Sequence, residues 1–449
     1  MSNTNTDARI DRRRFLRYAG VGGVSALAGC QSLGEGTERQ GSNTTPRGTV
    51  AGEATIRPFT VGVMKTDFGG DVQRSAQIAI DELNQSGAVN GRIDLVTASG
   101  SASPTGEEKA YRKLINQGAD VTIGGLYPRG FLPAMAEEQK IHLTSVSPWP
   151  LPARLVSRNQ SPIEGNPTEE YGTYKYFFRV GPLNLVDLQK AQVQLIRGYR
   201  DQLGWDRIGI IVENLNIGAQ ERLNALKNEV SEFIEVPVAE VVSGSVNDWT
   251  PIYDQMESAN VDLAAVFLVI SATVANEQWA DQQRNFEMGG IHLPAMQTSY
   301  WGEVDGAAES IWTMNAATPQ TSNTERTQPY LTEYTNRFGG TPAYPGVLSY
   351  DAVKVYAHAV DQVGNTDPEK IVTFFEEDCA FTGGAFMPEL GFRGPDAEFA
   401  HDPAWSSIQE SGVPIFQQWQ KDENGGDIME AFAPERNKTA DYVKPPWMR

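Results

Sequence analysis

The chain has 449 residues, of which 40% are hydrophobic and 21% charged, enough for a large core and for more than one lobe. Its 57 acidic residues against 37 basic ones give a formal net charge of −20, and only 12 of the basic residues are lysine. Nucleic acid is disfavoured as a partner, because phosphate binding needs clustered positive charge; an acidic, lysine-poor surface instead suits very high salt, where the Debye length falls to roughly 3 Å and self-repulsion is screened.

Residues 1–29 read as a signal peptide rather than as fold. Asp11-Arg-Arg-Arg-Phe-Leu-Arg17 resembles a twin-arginine export signal. The weakly apolar run from Tyr18 to Gly29 is too short, and too rich in Gly and Ala, to span a bilayer. It ends in Leu27-Ala-Gly-Cys30, which resembles a lipobox and implies a lipidated Cys30. Residues 30–55 have no apolar period and read as a disordered tether. The expected address is the outer face of the cytoplasmic membrane, with the lipid as the sole membrane contact. With Cys30 so used, Cys379 has no partner and reads as a buried, small apolar residue.

From residue 56 onward, strand and helix signals alternate. Phe59 to Met64 is a predicted strand, and the helix after it carries Val72, Ala76, Ala79, Ile80 and Leu83 on one face. Arg92 to Val96 is the next strand, and a helix from Glu107 to Gln117 ends at Gly118. Two further units follow: the strand Asp120 to Ile123 with its loop Gly124 to Gly130, and, after a helix from Phe131 to Lys140, the strand Ile141 to Thr144 with its loop Ser145 to Pro150. Residues 151–173 read as an inserted surface loop. After a strand at Tyr174 to Val180 the alternation restarts with a long helix, Leu185 to Leu203, and a strand, Arg207 to Val212. Strands at Val236 to Val242 and Asp262 to Ile270 follow, the second apolar enough to lie at the centre of its sheet. A strand at Ser310 to Ala317 precedes helices at Thr324 to Phe338 and around Tyr350 to His358, and Asp367-Pro368 is an N-cap followed by Pro at the first helical position. The pattern is that of an α/β protein with two doubly wound parallel-sheet lobes.

In open α/β sheets ligands bind at the carboxyl ends of the strands, and the loops there carry a binding vocabulary without a nucleophile beside a base. In the first half the candidates are Tyr127, Arg129, Ser145, Ser147 and Trp149. In the second they are Asn214, Asn216, Ser271, Tyr300 and Trp301. The bland reading stands beside each: packing aromatics at strand exits, turn asparagines, a solvated arginine. No His lies at metal-ligand spacing from a second His or Cys, and no phosphate loop, nucleophile elbow or zinc-protease pattern occurs, so neither metal nor cofactor is assigned.

The succession Phe59-Thr-Val-Gly-Val, Ala79-Ile-Asp-Glu-Leu-Asn84, Val89-Asn-Gly-Arg92, Arg112-Lys-Leu-Ile115, Ile123-Gly-Gly-Leu126 and Ser349-Tyr-Asp-Ala-Val353 resembles the branched-chain amino-acid binding proteins of ABC transporters, with the type I periplasmic binding fold, over roughly residues 56–420. The resemblance implies two lobes joined by three crossovers near residues 180, 314 and 380. Lobe one would then be 56–180 plus 315–378, and lobe two 181–314 plus 379–449 with a C-terminal extension. It also implies capture of a small ligand by closure about a hinge and delivery to an ABC permease. Ligand carboxylates would fall to Leu126 to Gly130 and Ser145 to Trp149. Ile217-Gly218 stands where the family has Tyr-Gly, Ser271 lies near a usual Tyr, and the acid that pairs with an α-ammonium would fall near Ser299-Tyr300, neither of them acidic. An α-amino acid would need another carboxylate, Asp67 or Glu213. The expected function is that of an exported, lipid-anchored solute-binding protein for an amino-acid-like or polar organic molecule. Receptors for amides, urea or aromatic compounds, and a secreted two-lobed enzyme, remain as alternatives.

Overall fold

Val61, Val63 and Met64 are fully buried, as expected for a strand covered by helices on both faces. The computed structural model describes residues 54–65, 70–100, 103–163, 165–215 and 218–449. The signal segment, Cys30, nearly all of the tether, Asp67 and Asn216 lie outside the described residues.

The first sheet is entirely parallel. Its strands are β1 (Thr60–Lys65), β2 (Asp94–Ser99), β3 (Val121–Gly124), β4 (Ile141–Thr144) and β5 (Phe177–Arg179), in the order β2-β1-β3-β4-β5. Helix Asp71–Gln85 buries Val72, Ala76, Ala79 and Ile80, and packs against the later helix Tyr344–Val363, so the chain returns to this lobe after building the other. Helix Pro104–Asn116 starts three residues before the expected Glu107, because the Ser103 side chain caps it at Gly106. Residues 151–173 were expected as bare loop but hold helix Leu151–Leu155 and most of helix Pro167–Tyr174, the latter capped by Asn166. Its last turn takes Tyr174 out of the expected strand, leaving β5 three residues long.

The second sheet has seven strands. These are β6 (Arg207–Asn214), β7 (Glu235–Ser243), β8 (Leu263–Leu268), β9 (Glu287–His292), β10 (Trp312–Asn315), β11 (Ile415–Lys421) and β12 (Asp427–Ala433), in the order β12-β11-β10-β9-β8-β6-β7. The first five are parallel and β8 is the middle one, with all six of its residues buried. The antiparallel pair β11–β12 on the open edge was not anticipated from sequence. At Gly289 a Cβ would come within 2.2 Å of the Trp312 ring, so the indole lies where no larger residue fits. The chain passes from one sheet to the other after β5, after β10 and before β11. One apolar cluster is continuous across all three passages, joining Val63, Leu183, Ile210, Met314 and Phe416.

Candidate functional site

The carboxyl ends of β3 and β4 bring one set of loops to a cavity, and those of β6, β8, β9 and β10 bring the other. The cavity has a volume of about 410 Å³, within the range of small-molecule sites. From the first lobe come Leu126, Tyr127, Pro148, Trp149, Tyr344 and Leu348, with Phe386 from the segment that leads into the third passage. Leu185, Leu188, Asn214, Leu215, Phe267, Val269, Ile270, Ile291, Leu293 and Met296 form the second-lobe wall, and Pro182, Leu183, Met314, Asn315, Ala316 and Pro414 lie where the chain crosses over. No ionisable group other than the phenols of Tyr127 and Tyr344 is in this wall. Ile270 is 68% exposed, a large apolar side chain at the margin of the cavity.

Buried carboxylates fix the loops from behind. Glu107 accepts hydrogen bonds from the backbone N–H groups of Leu126 and Tyr127, at 2.6 and 2.7 Å. In the second lobe Glu213 accepts three, from Val269, Ile270 and Ser271, at 2.6, 2.8 and 2.8 Å. Each carboxylate thus satisfies loop donors that no strand or helix would otherwise pair. The crossover segment is held in the same way: Asp351 accepts from Ala385 and Phe386 at 2.6 and 2.9 Å, and burial pushes its carboxyl up to about 7.

The Trp149 loop has its own clamp. Arg179, at the end of β5, is fully buried and donates to the carbonyls of Ser147 and Trp149. Its Nε also meets Asp402 at 2.8 Å. Asp402 accepts in turn from Asn184, which caps helix Leu185–Leu203 and also donates to Asp187, itself paired with Arg393 at 2.8 Å. Burial raises the Asp402 carboxyl, and Arg179 and Asn184 oppose that rise only in part. One connected polar network therefore ties a cavity loop to the first and third crossovers. Tyr344 adds a hydrogen bond to the Val146 carbonyl at 2.9 Å.

Residues 55–412 match the family model described as periplasmic binding protein. The chain belongs to that family. Solved structures with the same fold include a putative branched-chain amino acid ABC transporter protein from Silicibacter pomeroyi, 20% identical, with a TM-score of 0.69 over 87% of this chain and 100% of the other. A branched-chain amino acid transporter substrate-binding protein from Streptococcus pneumoniae in complex with isoleucine is 15% identical, with a TM-score of 0.62 over 85% and 100% of the two chains. A solute-binding protein from Rhodopseudomonas palustris BisB5 in complex with 3,4-dihydroxybenzoic acid is also 15% identical, with a TM-score of 0.60 over 88% and 99%. At these identities the likeness shows the fold alone. No curated protein matches the sequence.

In this periplasmic binding protein the cavity collects Tyr127, Trp149 and Asn214 from the sequence-derived candidates. The others stand elsewhere. The Ser145 hydroxyl is buried and lies 2.8 Å from that of Ser349 on helix Tyr344–Val363, so it joins loop to helix. Ser147 is buried and accepts a long bond, 3.4 Å, from the Trp149 N–H. Arg129 is exposed on the first turn of helix Pro128–Glu138. Ser271 is buried, and its N–H is taken by Glu213. Tyr300, expected at the cleft, is fully buried in a separate core on the far face of the second sheet, where its hydroxyl donates to Asn276 at 2.8 Å. Trp301 packs there against Trp419, with ring centroids 6.0 Å apart. Short helix Tyr300–Glu303 turns both aromatics inward, which strand-exit reasoning does not foresee. Glu213, weighed as a stand-in for the ammonium-pairing acid, is committed to its three backbone donors. What sequence reading missed is the aliphatic wall, together with Glu107, Arg179 and Asp402; the one available signal was an acidic Glu107 in a first helical turn.

His142 and His292 are buried and uncharged, pushed down to about 3 and about 4 by burial. Burial likewise lifts the Cys379 thiol to about 12, consistent with a packing role. Among the described residues no cluster of His, Cys, Asp and Glu has a metal-binding arrangement.

Proposed function

We propose that the protein captures a small organic solute with a flat or apolar body between its two lobes and delivers it to an ABC importer, without catalysing a reaction. The observation that carries this reading is the cavity at the carboxyl ends of two opposed parallel sheets, walled by aliphatic and aromatic side chains and lacking Asp, Glu, Lys and Arg. An α-amino acid fits such a wall poorly, since a buried ammonium without an acid costs several kcal/mol. Trp149, Tyr127 and Phe386 favour flat or apolar groups. Solute-binding proteins of this fold from Rhodopseudomonas palustris are found in complex with 3,4-dihydroxybenzoic acid, 4-hydroxybenzoate and benzoate, and this wall agrees better with such molecules than with isoleucine.

The proposed site consists of Tyr127, Trp149 and Asn214 within that wall, with Asn216 kept as a candidate on its sequence position alone. The lobes close about the three crossovers, after β5, after β10 and before β11. The N-terminal motifs support export by the twin-arginine route and anchoring through lipid on Cys30; Cys30→Ser should release the protein into the medium, and unchanged membrane retention would count against the anchor.

A thermal-shift screen in high salt tests the ligand class. A ligand at 100 times its dissociation constant stabilises by about 2.7 kcal/mol. Aromatic and aliphatic acids and amides are expected to give the larger shifts, and a large shift with leucine would restore the amino-acid reading. Ala316→Phe, which fills the cavity from a crossover position, should abolish the shift.

A further inference from the structure

Among the described arginines, Arg222 alone is part-buried while having neither an ion pair nor a side-chain hydrogen bond within the described residues. It sits in the first turn of helix Ala219–Ser231. Its guanidinium carbon lies 4.2 Å from the centroid of the Phe267 ring. Phe267 is part of the cavity wall, as are Asn214 and Leu215 just before this helix. Arg222 is therefore one ring away from a cavity whose wall carries no charge.

A desolvated cation is ordinarily paired. The other shielded arginines obey that rule: Arg179 has Asp402, Arg284 has Asp254 and Glu257, and Arg393 has Asp187. The face of Phe267 offers Arg222 a partial substitute through cation–π contact, and no acceptor among the described residues takes its guanidinium N–H groups. Burial alone lowers the group, to about 10, which still leaves it fully charged at neutral pH. The cation has no counterion among the described residues and stands beside an otherwise neutral cavity.

We propose that Arg222 anchors the single negative charge of the bound solute, so that the cavity takes monoanions, monocarboxylates above all, with the apolar body against the aliphatic wall and the carboxylate on the guanidinium. This rests on the solute-binding reading above and adds the charge class of the ligand and the residue that reads it. A planar guanidinium meets a carboxylate with two parallel N–H···O bonds. An α-amino acid can offer its carboxylate to the same guanidinium, but its ammonium gains nothing there and still lacks an acid, so it should bind more weakly than a plain monocarboxylate.

The test uses the intact protein with matched probes: benzoate with benzamide, phenylacetate with phenylacetamide, and hexanoate with hexanamide, together with leucine, all measured by calorimetry. Each acid should bind more tightly than its amide. Arg222→Met, which keeps the apolar stem over Phe267, should weaken the acids about 10- to 100-fold while changing the amides less than about threefold; Arg222→Lys should restore part of the loss. Acid and amide binding that fall together would show that Arg222 acts through packing, and unchanged acid affinity would show that it does not reach the ligand; either result overturns the proposal. If amides or leucine bind and the acids do not, the charge assignment fails while solute binding stands. If no probe binds, both fail.

Discussion

Removal of the Arg179 guanidinium gives the sharpest test of how the cavity is held together. Arg179 and Asp402 are 0% and 1% exposed at the side chain, so Arg179→Met leaves a carboxylate buried without its counterion, a loss of about 3–5 kcal/mol. The folded unit 51–449 has about 400 residues and unfolds with roughly 2.1 cal/mol/K each, or about 0.8 kcal/mol/K. The expected fall in melting temperature is therefore about 4–6 °C. Two carbonyls, those of Ser147 and Trp149, lose their donor at the same time, so the Trp149 loop loosens and ligand-induced stabilisation should shrink by more than the fold itself weakens. Differential scanning calorimetry with and without a bound solute separates the two effects. Adding Asp402→Leu should recover part of the melting temperature, because an apolar pair is close to neutral against a buried ion pair, but it should not recover ligand response, since the carbonyls stay unpaired. A single mutant that melts within about 1 °C of wild type, or a double mutant that regains ligand response, would refute the clamp.

Stability should respond to pH through groups of opposite sign. His142 and His292 are held below the usual imidazole value, so below about pH 6.5 the unfolded chain binds more protons and stability falls as pH drops toward 4. Asp351, raised to about 7, works the other way: the folded state holds the extra proton, and its contribution is full below about pH 4 and lost as pH rises through 7. Asp351→Asn should therefore make stability rise more steeply with pH between 4 and 6.5 in denaturant titrations, and a flatter curve would contradict the assignment. Gly124 has φ +96° and would place a Cβ 2.5 Å from the Met64 carbonyl; Gly124→Ala should cost at least about 1–3 kcal/mol in urea unfolding and displace the Leu126–Tyr127 loop. With a net charge of −20, the melting temperature should climb steadily as salt is raised toward 1 M, where the Debye length is about 3 Å; a salt-independent melt would contradict the self-repulsion argument.

The alternation of strands and helices was legible because helix-covered parallel strands bury both faces: the run Leu263 to Leu268 reads as interior, and it is. The antiparallel β11–β12 pair was not, because Gln417, Gln418 and Glu430 interrupt the apolar pattern; Gln417 and Gln418 are buried and hydrogen bonded there. At the site, Tyr127 and Trp149 could be placed from the loop positions that follow β3 and β4. Tyr300 and Trp301 could not, since a four-residue helix reverses the direction their side chains take. The serines illustrate a different limit. Hydroxyls in a strand-exit loop look like ligand contacts, yet Ser145 meets a serine 204 positions away, and nothing in local sequence announces that partner. Arg179 was hidden for the same reason, its acid lying 223 residues later.

Glu107 and Glu213 perform matching tasks in the two lobes, each gripping the backbone of a cavity loop from within its own lobe. Because the grip is on main-chain N–H groups, it is indifferent to which side chains those loop residues present. Leu126, Tyr127, Val269 and Ile270 can be exchanged for residues of other size or polarity while the loops keep their course. Selectivity in this protein is thereby uncoupled from scaffold integrity: a library randomised at those four positions should yield mostly folded members with divergent solute preferences, whereas one randomised at the two glutamates should yield few folded members at all.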